Sequence, residues 1–224
     1  MKKVALIVAG GRGKRMNSNV PKQFEILQGK PVLIHTFQAF LTYDSNITFV
    51  LVLPKIQFSH WETLCQKHNF NIKHELAAGG ETRFHSVQNG LKLVSDDSIV
   101  FIHDGVRPLV SSVTIENCYQ TALQKGNALP VIPVVESVRK VENDQNMAVN
   151  RSKYFLVQTP QTFQAEKIKT AYKESKTTNF TDDSSALESA GEKIHLVEGN
   201  RENIKITYPQ DLIIASAFLK NRNQ

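Results

Sequence analysis

Short, branched and nearly uninterrupted apolar runs recur along the chain at Val4 to Val8, Phe49 to Leu53, Ile99 to Ile102 and Ala128 to Val135. Their length and continuity predict strands buried on both faces, as in a sheet covered by helices. Between them apolar residues fall at helical spacing. Leu33, Phe37, Phe40 and Leu41 share one face, and Phe84, Val87, Leu91 and Val94 share another. This alternation predicts a three-layer α/β fold with a mostly parallel sheet. One stretch departs from it. From Pro133 to Val149 polar and apolar residues alternate around the turn-forming Asn143-Asp144-Gln145-Asn146, and alternation resumes as far as Phe155. That predicts an inserted β-hairpin, either an arm reaching a neighbouring subunit or a plain surface hairpin. With no repeat, low-complexity tract or linker, residues 1–224 read as one domain carrying an arm at about 134–157.

Composition narrows the picture. At 224 residues and 41% hydrophobic, the chain can bury a sizeable core, and 21% charged residues exclude a disordered chain. No apolar run approaches the ~18 residues of a membrane span. Met1-Lys2-Lys3 followed by Val4 to Ala9 imitates a signal peptide, but the apolar part is short and Gly10-Gly11-Arg12-Gly13-Lys14-Arg15 stands where a cleavage site would be. A cytoplasmic protein without a membrane partner is expected. Cys65 and Cys118 lack the spacing of a zinc site or a disulfide framework. A net charge of +6 favours anionic partners. No basic stripe interleaved with aromatics and no nucleic-acid module is present, so phosphorylated small molecules are expected rather than nucleic acid.

The strongest local signal follows the first strand: Val8-Ala9-Gly10-Gly11-Arg12-Gly13-Lys14-Arg15-Met16, then Pro21-Lys22-Gln23. Open α/β sheets bind ligands at the carboxyl ends of their strands, and glycines let backbone N–H groups approach a phosphate. A dinucleotide loop would need a glycine where Met16 stands, and a Walker loop would need Ser or Thr after the lysine, where Arg15 stands. Arg12, Lys14, Arg15 and Lys22 instead bring several cations to one loop, which suits a triphosphate undergoing cleavage. A solvated basic turn is the bland alternative.

Further polar clusters sit where strands should end. In His103-Asp104-Gly105-Val106-Arg107-Pro108, Asp104 is placed either to hold Mg²⁺ or a ribose hydroxyl, or to cap an Asx-turn paired with Arg107. Gly79-Gly80-Glu81-Thr82-Arg83-Phe84-His85-Ser86 leads into a helix that Thr82 could cap, and its backbone could meet a base edge. Gln158-Thr159-Pro160-Gln161 follows, then Thr181-Asp182-Asp183-Ser184-Ser185, which reads as a helix start. In Asn203-Ile204-Lys205-Ile206-Thr207 a lysine interrupts an apolar alternation, so Lys205 is either an edge residue or functional. The histidines lack metal spacing. Ser86 and His103 lack a nucleophile elbow, which leaves hydrolase chemistry unsupported.

In this order and over nearly the whole chain, these segments, together with Gly29-Lys30-Pro31-Val32-Leu33, resemble the 2-C-methyl-D-erythritol 4-phosphate cytidylyltransferases of the non-mevalonate isoprenoid pathway. The resemblance implies a Rossmann-like fold and a homodimer whose β-arms each reach into the partner's site. It implies catalytic cations at Arg15, Lys22 and Lys205 around the CTP phosphates. Ala9, Gly10, Gly11 and Gly13 would line the nucleotide, and Gly80, Glu81 and Ser86 would recognise cytosine. Asp104 would lie near the nucleotide, near the implied cofactor, Mg²⁺ or another divalent cation, and near the acceptor. Arg107, Thr159, Thr181 and Lys205 would surround the acceptor, a sugar-alcohol phosphate, while Ser137 and Arg151 of the arm would hold its phosphate across the dimer. Gly10 replaces a usual alanine, Glu81 a common aspartate, and Ser137 a usual threonine whose hydroxyl it keeps. The ribitol-5-phosphate cytidylyltransferases share the glycine loop and two other segments and offer the alternative acceptor. A protein that binds nucleotide without catalysis is the other alternative. The spacing of Asn150-Arg151 before Gln158 and the Thr181-Asp182-Asp183 start favour the isoprenoid family.

Overall fold

The computed structural model describes residues 1–11 and 20–222. Gly13 and Arg15, expected in the phosphate loop with Arg12 and Lys14, lie outside the described residues. In chain order the elements are β1 (Lys2–Val8), β2 (Ile26–Leu27), β3 (Lys30–Pro31), α1 (Val32–Tyr43), β4 (Thr48–Leu53), α2 (Phe58–Lys67), β5 (Glu75–Ala78) and α3 (Arg83–Leu91). They continue with β6 (Ser98–Asp104), α4 (Ser112–Lys125), β7 (Asn127–Pro133), β8 (Arg139–Glu142), β9 (Gln145–Ala148) and β10 (Phe155–Val157). The rest are β11 (Gln161–Gln164), α5 (Ala165–Glu174), α6 (Asp183–Ser189), β12 (Leu196–Glu198) and α7 (Pro209–Arg222).

One sheet in the order β10-β7-β11-β6-β1-β4-β5, with β12 also on β7, forms the middle layer. Side chains on its strands alternate between two cores, as the two-residue period of a strand requires. Ala5, Ile7, Phe49, Leu51, Ile99 and Phe101 face the layer containing Phe37, Phe40 and Trp61. Leu6, Val50, Val52, Val100 and Ile102 face the layer containing Val87, Ile168 and Leu187. This is the expected three-layer sandwich. The pairs β1/β4, β1/β6, β4/β5 and β12/β7 are parallel, while β11 pairs antiparallel with β6 and β7, and β10 with β7.

Register decides where the loops gather. Val8 lies beside both Val52 and Asp104, and Leu53 lies beside Ala78. The segments after β1, β4, β5 and β6 therefore leave the same rim. Because β11 runs antiparallel with Gln161 beside Ile102, the preceding Gln158-Thr159-Pro160 reaches that rim too.

Three boundaries differ from expectation. β7 ends at Pro133 rather than Val135, because its last partner is Phe155 and the chain then leaves the sheet. α3 ends at Leu91; Val94 stays buried in the same core, carried by a turn in which its N–H donates to the Leu91 carbonyl. The hairpin turn is the two residues Asn143 and Asp144, with φ of 47° and 63°, rather than four. Both angles are left-handed, as the tight turn that matches strand twist demands, and Asn and Asp tolerate them best after glycine. The hairpin is exposed on both strands.

Candidate active site

At the rim two clefts meet. The first, about 230 Å³, is lined by Ala9, Gly10, Gly11, Lys22, Gly80, Glu81 and Ser86 among others. The second, about 310 Å³, is lined by Arg107, Gln158, Thr159, Gln161, Thr181 and Asp182 among others. Arg83, Asp104 and Lys205 line both.

The first cleft is shaped by backbone. Thr82 caps α3 by accepting from the His85 N–H, and Ser86 Oγ accepts from the Gly80 N–H at 3.0 Å while donating to the Thr82 carbonyl at 2.9 Å. This folds residues 80–82 tightly over the start of the helix. A Cβ at Gly80 would collide with Cβ of His85, so glycine is required there. Opposite, buried Gln23 donates to the Ala9 carbonyl at 3.0 Å and to Gln57 Oε1 at 2.9 Å, fixing the exit of β1. Its neighbour Lys22 donates to the Ile206 carbonyl at 3.1 Å.

Lys205 does not lie in a strand. Residues 203–207 are irregular, held by an Ile206 N–H bond to the Val106 carbonyl and by Asn203 Nδ2 donating to the Thr159 carbonyl at 2.8 Å. Ile206 is buried with Leu27, Val32 and Val106. The apolar alternation thus reflects one anchoring side chain, and the exposed Lys205 is free of the cost of a buried charge. Its Nζ lies 2.9 Å from Asp104 Oδ2, and Arg107 Nε approaches the same oxygen at 3.6 Å.

Asp104 is almost fully buried, which by itself would raise its pKa. The attraction of Lys205, Arg83 and Arg107 outweighs that and holds the carboxyl well below the usual carboxylate range. The Asx-turn reading anticipated Arg107 beside it, but Lys205 is the closer partner.

Behind the second cleft a chain of hydrogen bonds runs through wholly buried His103. The Asp104 N–H donates to Thr159 Oγ1 at 3.1 Å, so that hydroxyl gives its proton to His103 Nδ1 at 3.0 Å. His103 Nε2 then donates to the Arg107 carbonyl at 2.9 Å. One neutral tautomer satisfies every partner. Burial pushes the His103 pKa down to about 4, so the ring is neutral and no candidate base. Gln161 Oε1 accepts from the N–H groups of Asp183 and Ser184, and Asp182 caps α6 through the Ser185 N–H.

Sequence reasoning missed Arg83 and Asp183 as a pair. The Arg83 guanidinium forks onto the buried Asp183 carboxylate at 2.7 and 2.6 Å, and Tyr172 donates to the same carboxylate at 2.6 Å. Both residues stood in flagged segments, but nothing in the sequence joined the segments. Ser137 and Arg151 do not join this chain's clefts. They lie on the exposed arm, where Arg151 donates to the Val135 carbonyl. Among the described residues no three His, Cys, Asp or Glu side chains gather as a metal site. No described helix is long and apolar enough to cross a membrane.

Two joined clefts at the strand ends of an α/β sheet, one glycine-lined, with cations about a single carboxylate, define a nucleotidyltransferase. The sequence matches the family model of 2-C-methyl-D-erythritol 4-phosphate cytidylyltransferase (IspD) over residues 3–221. Proteins of that name from Bacteroides fragilis and Bacteroides thetaiotaomicron are 52% and 51% identical over 219 residues, 98% of this chain and 100% of each relative. A crystal structure of 4-diphosphocytidyl-2C-methyl-D-erythritol synthase from Anaerococcus prevotii superposes with a TM-score of 0.83 at 27% identity, covering 98% of this chain and 96% of that one. The Thermus thermophilus cytidylyltransferase gives 0.79 at 28%, covering 98% and 100%. The chain belongs to the 2-C-methyl-D-erythritol 4-phosphate cytidylyltransferase family.

Proposed function

We infer that the protein transfers CMP from CTP to 2-C-methyl-D-erythritol 4-phosphate, giving 4-diphosphocytidyl-2-C-methyl-D-erythritol and pyrophosphate for isoprenoid precursor synthesis. The observation that carries this reading is the junction: two clefts share Arg83, Asp104 and Lys205, where two phosphates would have to meet. CTP occupies the glycine-lined cleft, with Ala9, Gly10, Gly11 and Lys22 along the phosphates and Gly80, Glu81 and Ser86 at the base. The acceptor occupies the cleft of Arg107, Thr159 and Thr181.

The second pKa of a phosphate monoester is ~6, so the nucleophile is already ionised at neutral pH. Its oxygen attacks the α-phosphorus. That P–O bond forms as the bond to the β-phosphate bridging oxygen breaks, and the electron pair leaves with pyrophosphate. No general base is needed, in keeping with a neutral, buried His103. The obstacle is repulsion between a dianion and a triphosphate. Lys22 and Lys205, with Arg15 of the glycine-rich sequence, supply the opposing charge where it grows.

A magnesium ion fits this donor set. Mg²⁺ commonly takes one or two carboxylates plus substrate phosphates, and Asp104 is such a carboxylate. Lys205 and Arg107 both address its Oδ2, while Oδ1 makes no hydrogen bond to a described residue. Bound there, the ion would neutralise phosphate charge.

We further propose a homodimer formed by the arm. Val141, Met147, Phe155, Leu156 and Val157 are all more than two-fifths exposed. Apolar side chains exposed in such number along one arm mark an interaction surface. Ser137 and Arg151 would then serve the acceptor phosphate of the partner's cleft. CTP as donor and unpaired Cys65 and Cys118 are in keeping with work in the cytoplasm.

Pyrophosphate release is the test, with Mg²⁺ and four nucleoside triphosphates crossed against methylerythritol 4-phosphate and ribitol 5-phosphate. Release only with CTP and methylerythritol phosphate is expected. Release with ribitol phosphate instead would move the acceptor assignment, and silence from folded, CTP-binding protein would sink catalysis.

A further inference from the structure

Arg83 stands at the junction of the two clefts, yet its best partner points away from both. Its two Nη atoms donate end-on to the carboxylate oxygens of Asp183, which is wholly buried at the first residue of α6. Tyr172 donates to the same carboxylate, and its ring stacks on Phe84 at 4.4 Å between centroids. Gln161 fixes the backbone N–H of Asp183. The guanidinium is therefore held from four elements, β11, α3, α5 and α6. Burial works against its charge, but Asp183 more than offsets this and keeps Arg83 firmly protonated.

A guanidinium has five N–H donors in a rigid plane, and the end-on fork uses two. The remaining three make no hydrogen bond to a described residue. They include the side edge of Nε–H and one Nη–H, two parallel donors spaced for a pair of phosphate oxygens. A purely structural Arg–Asp pair has no need to sit where donor and acceptor clefts meet. We propose that Arg83 is a catalytic residue that holds oxygens of the two phosphates as they come together, aimed by Asp183 and Tyr172 as positioning residues.

The proposal rests on cytidylyl transfer as the reaction, so wild-type turnover is measured alongside; silence there would overturn that reading and this one with it. The informative variant is Arg83→Gln with Asp183→Asn, which replaces the ion pair by a neutral hydrogen-bonded pair of similar shape. A structural role predicts that this pair restores what either single change loses. A role at the junction predicts a folded protein, with Tm within about 5 °C of wild type, whose kcat falls ~100-fold while the KM for CTP moves less than about threefold. A kcat within about threefold of wild type would overturn the proposal. Should the neutral pair fail to fold, Arg83→Lys takes its place. It keeps the charge against Asp183 but loses the second edge, so kcat should fall at least about tenfold. Unchanged kcat in that variant is equally fatal.

Discussion

Lys205 Nζ and Asp104 Oδ2 lie 2.9 Å apart, joining an irregular late segment to the end of the central strand β6. The ion pair is part of the reason a nearly buried carboxylate stays ionised, and it places an exposed cation on the lining of both clefts. Under the proposed mechanism, loss of the ammonium removes a donor from the transition state. Lys205→Ala or Lys22→Ala should lower turnover ~10²–10³-fold, about 2.7–4 kcal/mol. Steady-state kinetics with both substrates checks this, and near-normal kcat would remove either lysine from the chemistry. In Lys205→Ala the Asp104 pKa should also rise, moving any acid loss of metal affinity to higher pH.

The buried imidazole makes stability depend on pH. His103 has an ordinary value of 6.5 in the unfolded chain and about 4 in the folded protein. Between these the unfolded chain binds the extra proton, so stability is full above pH 6.5 and falls as pH drops toward 4. The contribution at stake is roughly 3 kcal/mol. Urea denaturation at pH 7 and pH 4.5 should resolve most of it, and His103→Asn should show a shallower dependence. An unchanged slope in that variant would assign the acid loss to other groups.

Asp183→Ala leaves the Arg83 charge without its partner and Tyr172 without its acceptor. A cost of about 3–5 kcal/mol is expected, the scale for breaking a buried pair. Tyr172→Phe removes one hydrogen bond to a charged group and should cost about 1.5–3 kcal/mol. Equal, small losses in both would mean the carboxylate is better hydrated than its burial suggests.

The arm predicts a mass and a kinetic split. Light scattering at micromolar concentration should give twice 25.2 kDa. Phe155→Asp with Leu156→Asp should give the single mass with far less activity. Arg151→Ala should raise the KM for the acceptor ~10–10²-fold, the worth of charge-assisted bonds to a phosphate, and leave the KM for CTP alone. A change confined to CTP would place Arg151 elsewhere.

Much of this site was legible because its parts are local. Glycines after β1 and β5, the Asp at the end of β6, the Thr82 and Asp182 caps and the Asn143–Asp144 turn are each written in a few adjacent residues. Lys205 was harder, since Asn203 to Thr207 carries the alternation of a strand while the fold uses only Ile206 as an anchor in the Leu27–Val32–Val106 cluster. Arg83 and Asp183 were beyond reach for a different reason. Their pairing is set by how α3 and α6 sit on the same side of the sheet, a matter of tertiary packing that neither segment encodes. The departure of β7 at Pro133 likewise depends on the short partner β10.

Lys22 donates to the carbonyl of Ile206, and Ile206 is buried with residues from β2, α1 and α7. The order of synthesis therefore matters. Every strand of the sheet, β12 included, is synthesised before residues 203–222. Until they follow, Lys22 lacks its backbone anchor and Asp104 lacks its nearest cation. A protease that cuts between β12 and Asn203 would leave every strand of the sheet in the chain while removing both contacts from the rim.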